Sequence, residues 1–341
     1  MGKMVVVCCV LLSMLVTGFV IDHSAQAADR TILLAGGRTQ SYWYALSQAL
    51  AKFINEKSNW LKADVVSTAG ITGNLDMIKT RPKEFIATSS FSHVHYRPGD
   101  PWGDKRGGYE GERFIASISP LTHVIVTYDA SIKSMQDLAG KIVGVGRKGA
   151  ANAMDHIAIL KKYGVLEKVK LAQGGYGGNI NKLKDGKVDA TFTILNHIYP
   201  FNITKGGFID KLETKGPIYY MGFDKETIME LRGKGYATVP LWIPAGTLDA
   251  KTQPKGLWSY NDPTFYAADK AMDEEVVYEV TRVIWETPPE EWAKWHPMGA
   301  NLNHKFLPGV PSLELYKPHA GAKKFYDKQG VGIKDIFELL R

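Results

Sequence analysis

Cysteine is almost absent from this chain. Its 341 residues hold two, Cys8 and Cys9, both in the N-terminal segment. Beyond them there is no disulfide framework, no thiol nucleophile and no cysteine metal site. A lipid-modified cysteine needs a small residue just before it, and Val7 is not small. Runs of like charge are also missing. The net charge is +7, yet no five like charges stand together. That excludes a nucleic-acid stripe, and no nucleic-acid partner is expected. A scattered basic excess either is a solvated surface or draws small anions toward one face. No internal repeat, no low-complexity tract and no G-x-S-x-G nucleophile motif is present.

The single long apolar run, Val5 to about Val20, is somewhat short for a membrane span of about 20 residues. Lys3 precedes it, and Ala25-Gln26-Ala27 closes it with small residues at both recognition positions. This order predicts a secretory signal peptide over residues 1–27, cleaved near Ala27, and a periplasmic address. Removing it takes away Lys3, Asp22 and both cysteines, so the net charge is unchanged. About 310 residues remain, enough to bury a core without disulfides, most naturally as two lobes. The composition, 45% hydrophobic and 11% aromatic, is that of a globular protein.

Short β-type runs alternate with helical patterns, which predicts an α/β fold. Strands are expected at 31–34, 63–67, 84–88, 141–145 and 188–193, with extended segments at 114–119 and 123–127. Residues 237–243 read as the last clear strand, after which the chain turns helical. Helices are expected at 41–57, where Tyr42, Leu46, Leu50, Phe53 and Ile54 share a face, at 152–163, and at 320–328. The segment 96–111, rich in Pro, Gly and charge, reads as a surface excursion. A strand, a Gly/Ser loop and a helix recur at least three times. Each such helix start offers free N–H groups and partial positive charge to an anion.

Gly144-Val145-Gly146-Arg147-Lys148-Gly149 is a literal G-x-G-x-x-G between a strand and a helix, with Glu167 about 20 residues on. Arg147 and Lys148 are bulky for a pyrophosphate loop, and an exported protein meets little dinucleotide. The same geometry suits a carboxylate or phosphate. Arg147 then either clamps a carboxylate with its planar fork or is a solvated surface arginine. The first loop also carries Arg38; its Ser41 and Trp43 are assigned to a pocket, while Tyr42 is either pocket or core. His93 and His95 form an H-x-H, which without an acidic third ligand is a poor zinc site. No metal or cofactor is expected.

Four stretches together give the chain a family resemblance. They are Gly36-Gly37 with Ser41-Tyr42-Trp43; Thr68-Ala69-Gly70-Ile71-Thr72-Gly73-Asn74-Leu75; Ser134-Met135-Gln136-Asp137-Leu138-Ala139-Gly140-Lys141-Ile142-Val143-Gly144-Val145-Gly146; and His319-Ala320-Gly321-Ala322-Lys323-Lys324-Phe325-Tyr326. In this order they resemble the TAXI family, the solute-binding subunits of tripartite ATP-independent periplasmic (TRAP) transporters. The resemblance covers nearly the whole chain after residue 27.

It implies a type II periplasmic-binding-protein fold, with two α/β lobes joined by hinge strands around a ligand cleft. The lobes are expected at 28–119 with 240–341, and at 120–239. It also implies a receptor, monomeric and not an enzyme, that delivers a small organic anion to TRAP membrane subunits. Glutamate, dicarboxylates and related acids are the ligand types. From the first lobe the expected ligand contacts are Gly37, Arg38, Ser41, Tyr42, Trp43, Gly70, Ser89 and Phe91. From the second they are Arg147, Gly149, Ala151, Asn152 and Phe192.

Two departures from the family pattern bear on the ligand. Gly149-Ala150-Ala151-Asn152 lacks the two hydroxyl residues usual at that helix start, and Arg147 stands where a small apolar residue is usual. The added arginine points to an anion and the added aromatics to an apolar body. A secreted enzyme, a metal-binding protein and a ligand-binding sensor are the competing readings.

Overall fold

The computed structural model describes residues 30–90, 107–148, 150–236 and 238–340. Strand β1 (Arg30–Ala35) leads through a short loop to helix α1 (Tyr42–Lys57). Ser41 caps that helix, its hydroxyl accepting the Tyr44 N–H at 3.2 Å. Leu46, Leu50, Phe53 and Ile54 form the buried stripe that their spacing predicts. Then follow β2 (Leu61–Val66), α2 (Ile71–Thr80) and the fully buried β3 (Phe85–Ser90). The chain continues through β4 (Glu112–Ser119) into β5 (Thr122–Thr127).

A second series repeats the first. β6 (Ile142–Val145) leads to α3 (Ala151–Lys162), β7 (Lys170–Gln173), α4 (Tyr176–Lys184) and β8 (Ala190–Ile198). Further on lie β9 (Asn202–Thr204), α5 (Gly207–Glu213), β10 (Tyr219–Met221) and α6 (Lys225–Gly233). β11 (Val239–Ile243), β12 (Leu257–Asn261) and β13 (Thr264–Asp269) complete the two main sheets.

The two sheets have the same logic. In the first the order is β2-β1-β3-β13-β4, with β1 parallel to β2 and β3, and β13 antiparallel to β3 and β4. In the second it is β7-β6-β8-β5-β10, with β6 parallel to β7 and β8, and β5 antiparallel to β8 and β10. β12 also pairs with β5, and β11 extends the sheet beyond it. The repeat is one of topology that the side chains do not echo, which is why no internal repeat is visible in the sequence.

The chain crosses between the sheets twice, from β4 to β5 and from β12 to β13. The crossings are tied together: Asp262 N–H donates to Leu121 O at 3.0 Å, and Thr264 Oγ1 to Ser119 O at 3.3 Å. Leu121 takes a left-handed backbone, φ 48°, a strained setting for a branched side chain. A third tie lies farther out. Asn301, fully buried, donates to His197 O at 2.9 Å and accepts the Tyr199 N–H at 2.7 Å.

Residues 237–243 are therefore not the last strand. β12 and β13 follow, and β11 and β12 belong to the second sheet, so the return crossing falls at 262–263 instead of 239–240. The return crossing runs through Asn261-Asp262-Pro263.

Each lobe has its own core. In the first, Trp292 is fully buried with its ring 5.0 Å from that of Phe53. Helix α7 (Glu274–Glu286) packs Val276, Val277, Val280, Val283 and Ile284 there, none of them exposed. In the second lobe two apolar clusters cover the two faces of the sheet, one centred on Phe192 and Leu160, the other on Val124 and Leu195.

Candidate functional site

Helices α1 and α2 of the first lobe and α3 and α4 of the second all begin on one cleft between the lobes, a cavity of about 1120 Å³. This follows from the topology. A helix after a parallel strand starts at the strand's carboxyl end, and both sheets turn that end inward. Four helix N-termini, each positive, thus face one volume.

An arginine reinforces them in each lobe, placed alike. Arg38 follows β1 and donates from Nε to Ala69 O at 3.0 Å, beside the Gly70 cap of α2. Arg147 follows β6 and lies over the Gly175 cap of α4; a Cβ on Gly175 would stand 3.0 Å from its Nε and Nη2. Glycine there makes the room. Both arginines are exposed and line the cleft. Lys211 of α5 adds a third cation, donating to Asn181 Oδ1 at 2.6 Å.

The walls are aromatic. Tyr42 and Trp43 open α1 with ring centroids 4.8 Å apart, and His296 lies 5.4 Å from Tyr42. From the second lobe come Tyr176, the first residue of α4, and Phe208, 6.4 Å apart. Burial raises the pKa of the Tyr42 and Tyr176 hydroxyls, so both remain donors at neutral pH. Asp262, buried at the return crossing, faces the same cleft and adds to both shifts by its charge. Burial lowers the His296 pKa and keeps that ring neutral.

Of the residues expected from sequence, Arg38, Ser41, Tyr42, Trp43, Gly70, Arg147 and Asn152 come together on the cleft. Tyr42 is both pocket and core: its ring faces the cleft while its hydroxyl lies 3.3 Å from Thr264 Oγ1. Gly37, buried, shapes the first loop, its carbonyl accepting Thr68 N–H at 2.8 Å. Ala151 is the first residue of α3. Phe91 and Gly149, and the histidine pair His93 and His95, lie outside the described residues.

Like Gly37, Ser89 and Phe192 do not line the cleft. Ser89 is buried on β3 and its hydroxyl donates to Glu112. Phe192 is buried on β8 against the His156 ring, 4.0 Å between centroids. Each side chain is buried within its own lobe.

The G-x-G-x-x-G glycines among the described residues serve packing. A Cβ on Gly144 would fall 2.3 Å from Thr191 Oγ1, and one on Gly146 would fall 2.6 Å from Ala153 N. They let β8 and the start of α3 approach the loop. Tyr176, Phe208, Asp262 and Lys211 were missed. The run Gly174-Gly175-Tyr176-Gly177-Gly178 carries the same strand, glycine, helix signal as the loops that were recognised. The other three have no local signature. Among the described residues, no three His, Cys, Asp or Glu side chains are grouped to hold a metal, and no helix is long and apolar enough to cross a membrane.

Two lobes of this strand order, twice crossed by the chain and open between helix N-termini, are the type II periplasmic-binding-protein fold. Residues 34–330 match the NMT1-like family, and the chain belongs to it. Solved structures similar to it are far in sequence. The periplasmic aliphatic sulphonate binding protein SsuA from Escherichia coli is 12% identical over 92% of this chain and 98% of that one, with TM-score 0.44. A TctC solute binding protein from Polaromonas is 15% identical over 89% of each chain, with TM-score 0.44. The alkanesulfonate-binding protein SsuA from Xanthomonas axonopodis pv. citri, bound to MOPS, is 11% identical over 92% and 96%, with TM-score 0.46.

Proposed function

We propose that this protein is an extracytoplasmic receptor that captures a small organic anion in the interlobe cleft and delivers it to a membrane permease. The observation that carries this reading is the matched pair of arginines, one per lobe, each set against a helix N-terminus on the same cavity. An anion there meets donors from both lobes at once, so binding favours closure about the crossings at 120–121 and 262–263. Amino acids such as glutamate, dicarboxylates and related carboxylates have the right charge and size.

The four stretches that resemble the TAXI family support a permease of the TRAP class. Export by residues 1–27, a periplasmic location and a monomeric receptor belong to the same reading. The work done is binding, not catalysis. The cleft offers cations, hydroxyls and rings suited to holding a ligand.

A thermal-shift screen against amino acids, dicarboxylates, keto acids and aromatic acids tests it. At 100 times its dissociation constant a ligand stabilises by about 2.7 kcal/mol. A shift with sugars or a metal ion, and none with any anion, overturns the reading.

A further inference from the structure

We infer that the body of the ligand is a planar aromatic or heteroaromatic ring, sandwiched between the two lobes while its acid group meets the arginines. The inference rests on the organic-anion reading and narrows it. Five rings line the cleft from both sides: Tyr42, Trp43 and His296 on the first lobe, Tyr176 and Phe208 on the second. None is sealed in the core. All five keep part of their surface open, whereas Trp292, Tyr260 and Phe265, the large aromatics of the lobe interiors, are wholly buried.

Rings left partly exposed on facing walls of one cavity present flat, rigid, polarisable surfaces that lose little entropy on binding. Tyr42 and Tyr176 are each the first residue of a helix that opens on the cleft. The groups that receive charge and the groups that receive a ring are therefore adjacent in both lobes. An aliphatic dicarboxylate would use the cations and leave both aromatic walls wet. A flat ring bearing one carboxylate uses both. The cavity of about 1120 Å³ has room for a bicyclic ring with several waters.

Matched acids of equal charge and similar shape provide the test. Benzoate and 2-naphthoate are compared by calorimetry with their ring-saturated counterparts, cyclohexanecarboxylate and decahydro-2-naphthoate, on the purified protein. Each aromatic acid is expected to bind at least about tenfold more tightly than its saturated partner. Trp43→Leu and Phe208→Leu, one from each wall, are each expected to move that ratio toward one, with folding checked by circular dichroism. A wild-type ratio of one or less, or a ratio that neither variant changes, overturns the inference. Binding of succinate or glutamate with no binding of any aromatic acid also overturns it, yet leaves the organic-anion reading standing. No binding by any carboxylate overturns both.

Discussion

Two histidines sit uncharged beneath the cleft, and acid acts on them with a sign and a size that follow from their surroundings. His123, on β5, is fully buried. It stacks on Tyr260 at 4.4 Å, and its Nδ1 lies 3.1 Å from the Tyr260 hydroxyl. Burial pulls its pKa from the ordinary 6.5 down to about 3. His156, on α3, accepts the Gly146 N–H at Nδ1 and stacks on Phe192. Burial first, and then the neighbouring His123, hold its pKa well below 6.5.

Because the folded values are depressed, protons bind the unfolded chain in preference. Stability is full above pH 6.5 and is lost as the pH falls from there toward about 3. At pH 5 each histidine that stays neutral in the fold costs about 2 kcal/mol, and the pair about 4 kcal/mol. Against a total of roughly 5–15 kcal/mol this is a large loss. Urea denaturation at pH 7, 6 and 5, at constant ionic strength, measures it. His123→Phe keeps the stack on Tyr260 and removes one titrating group, so its fall between pH 7 and 5 should be smaller by about 2 kcal/mol. An unfolding free energy constant to within about 1 kcal/mol over that range, or a variant with the wild-type pH dependence, refutes the reasoning.

Other outcomes follow from the same structure. Arg147→Ala and Arg38→Ala should each weaken binding of the carboxylate found by the screen by about tenfold, a loss of about 1.4 kcal/mol; an unchanged dissociation constant returns that arginine to the solvated surface. Gly146→Ala places a methyl group 2.6 Å from Ala153 N, so the start of α3 must move, at a cost of about 1–3 kcal/mol in urea unfolding. Gly140→Ala meets no atom within 4 Å and should cost only the left-handed backbone, about 1–2 kcal/mol. Asn301→Ala strips partners from His197 O and Tyr199 N–H between the lobes, and a loss of about 2–4 kcal/mol is expected in thermal unfolding.

Parts of the stretches that carry the family resemblance line the cleft, and others hold the scaffold. Asn74 donates to Thr88 O at 2.8 Å and to Thr88 Oγ1 at 2.7 Å, pinning the start of α2 over β3. Asp137 accepts the Ser134 N–H at 2.8 Å in a turn away from the cleft. His319 caps helix Ala320–Lys328, its Nδ1 accepting the Gly321 N–H at 3.2 Å. Such residues hold the scaffold and do not by themselves specify a ligand.

From sequence alone came what local chemistry decides. The stripe of α1, the glycine loops before helices and the valine face of α7 each follow from spacing and backbone preference within a few residues. They were sufficient to predict an α/β fold and to place Arg38, Trp43 and Arg147 at helix starts, while the two lobes came from chain length and the family resemblance. The tertiary structure decided which of those starts meet. Ser89 and Phe192 face the lobe interiors because a one-residue step along a strand reverses a side chain. Asp262 and Phe208 reach the cleft only because the chain recrosses at 262–263 and α5 folds beside α4. Those contacts join residues far apart in sequence, so no window along the chain contains them.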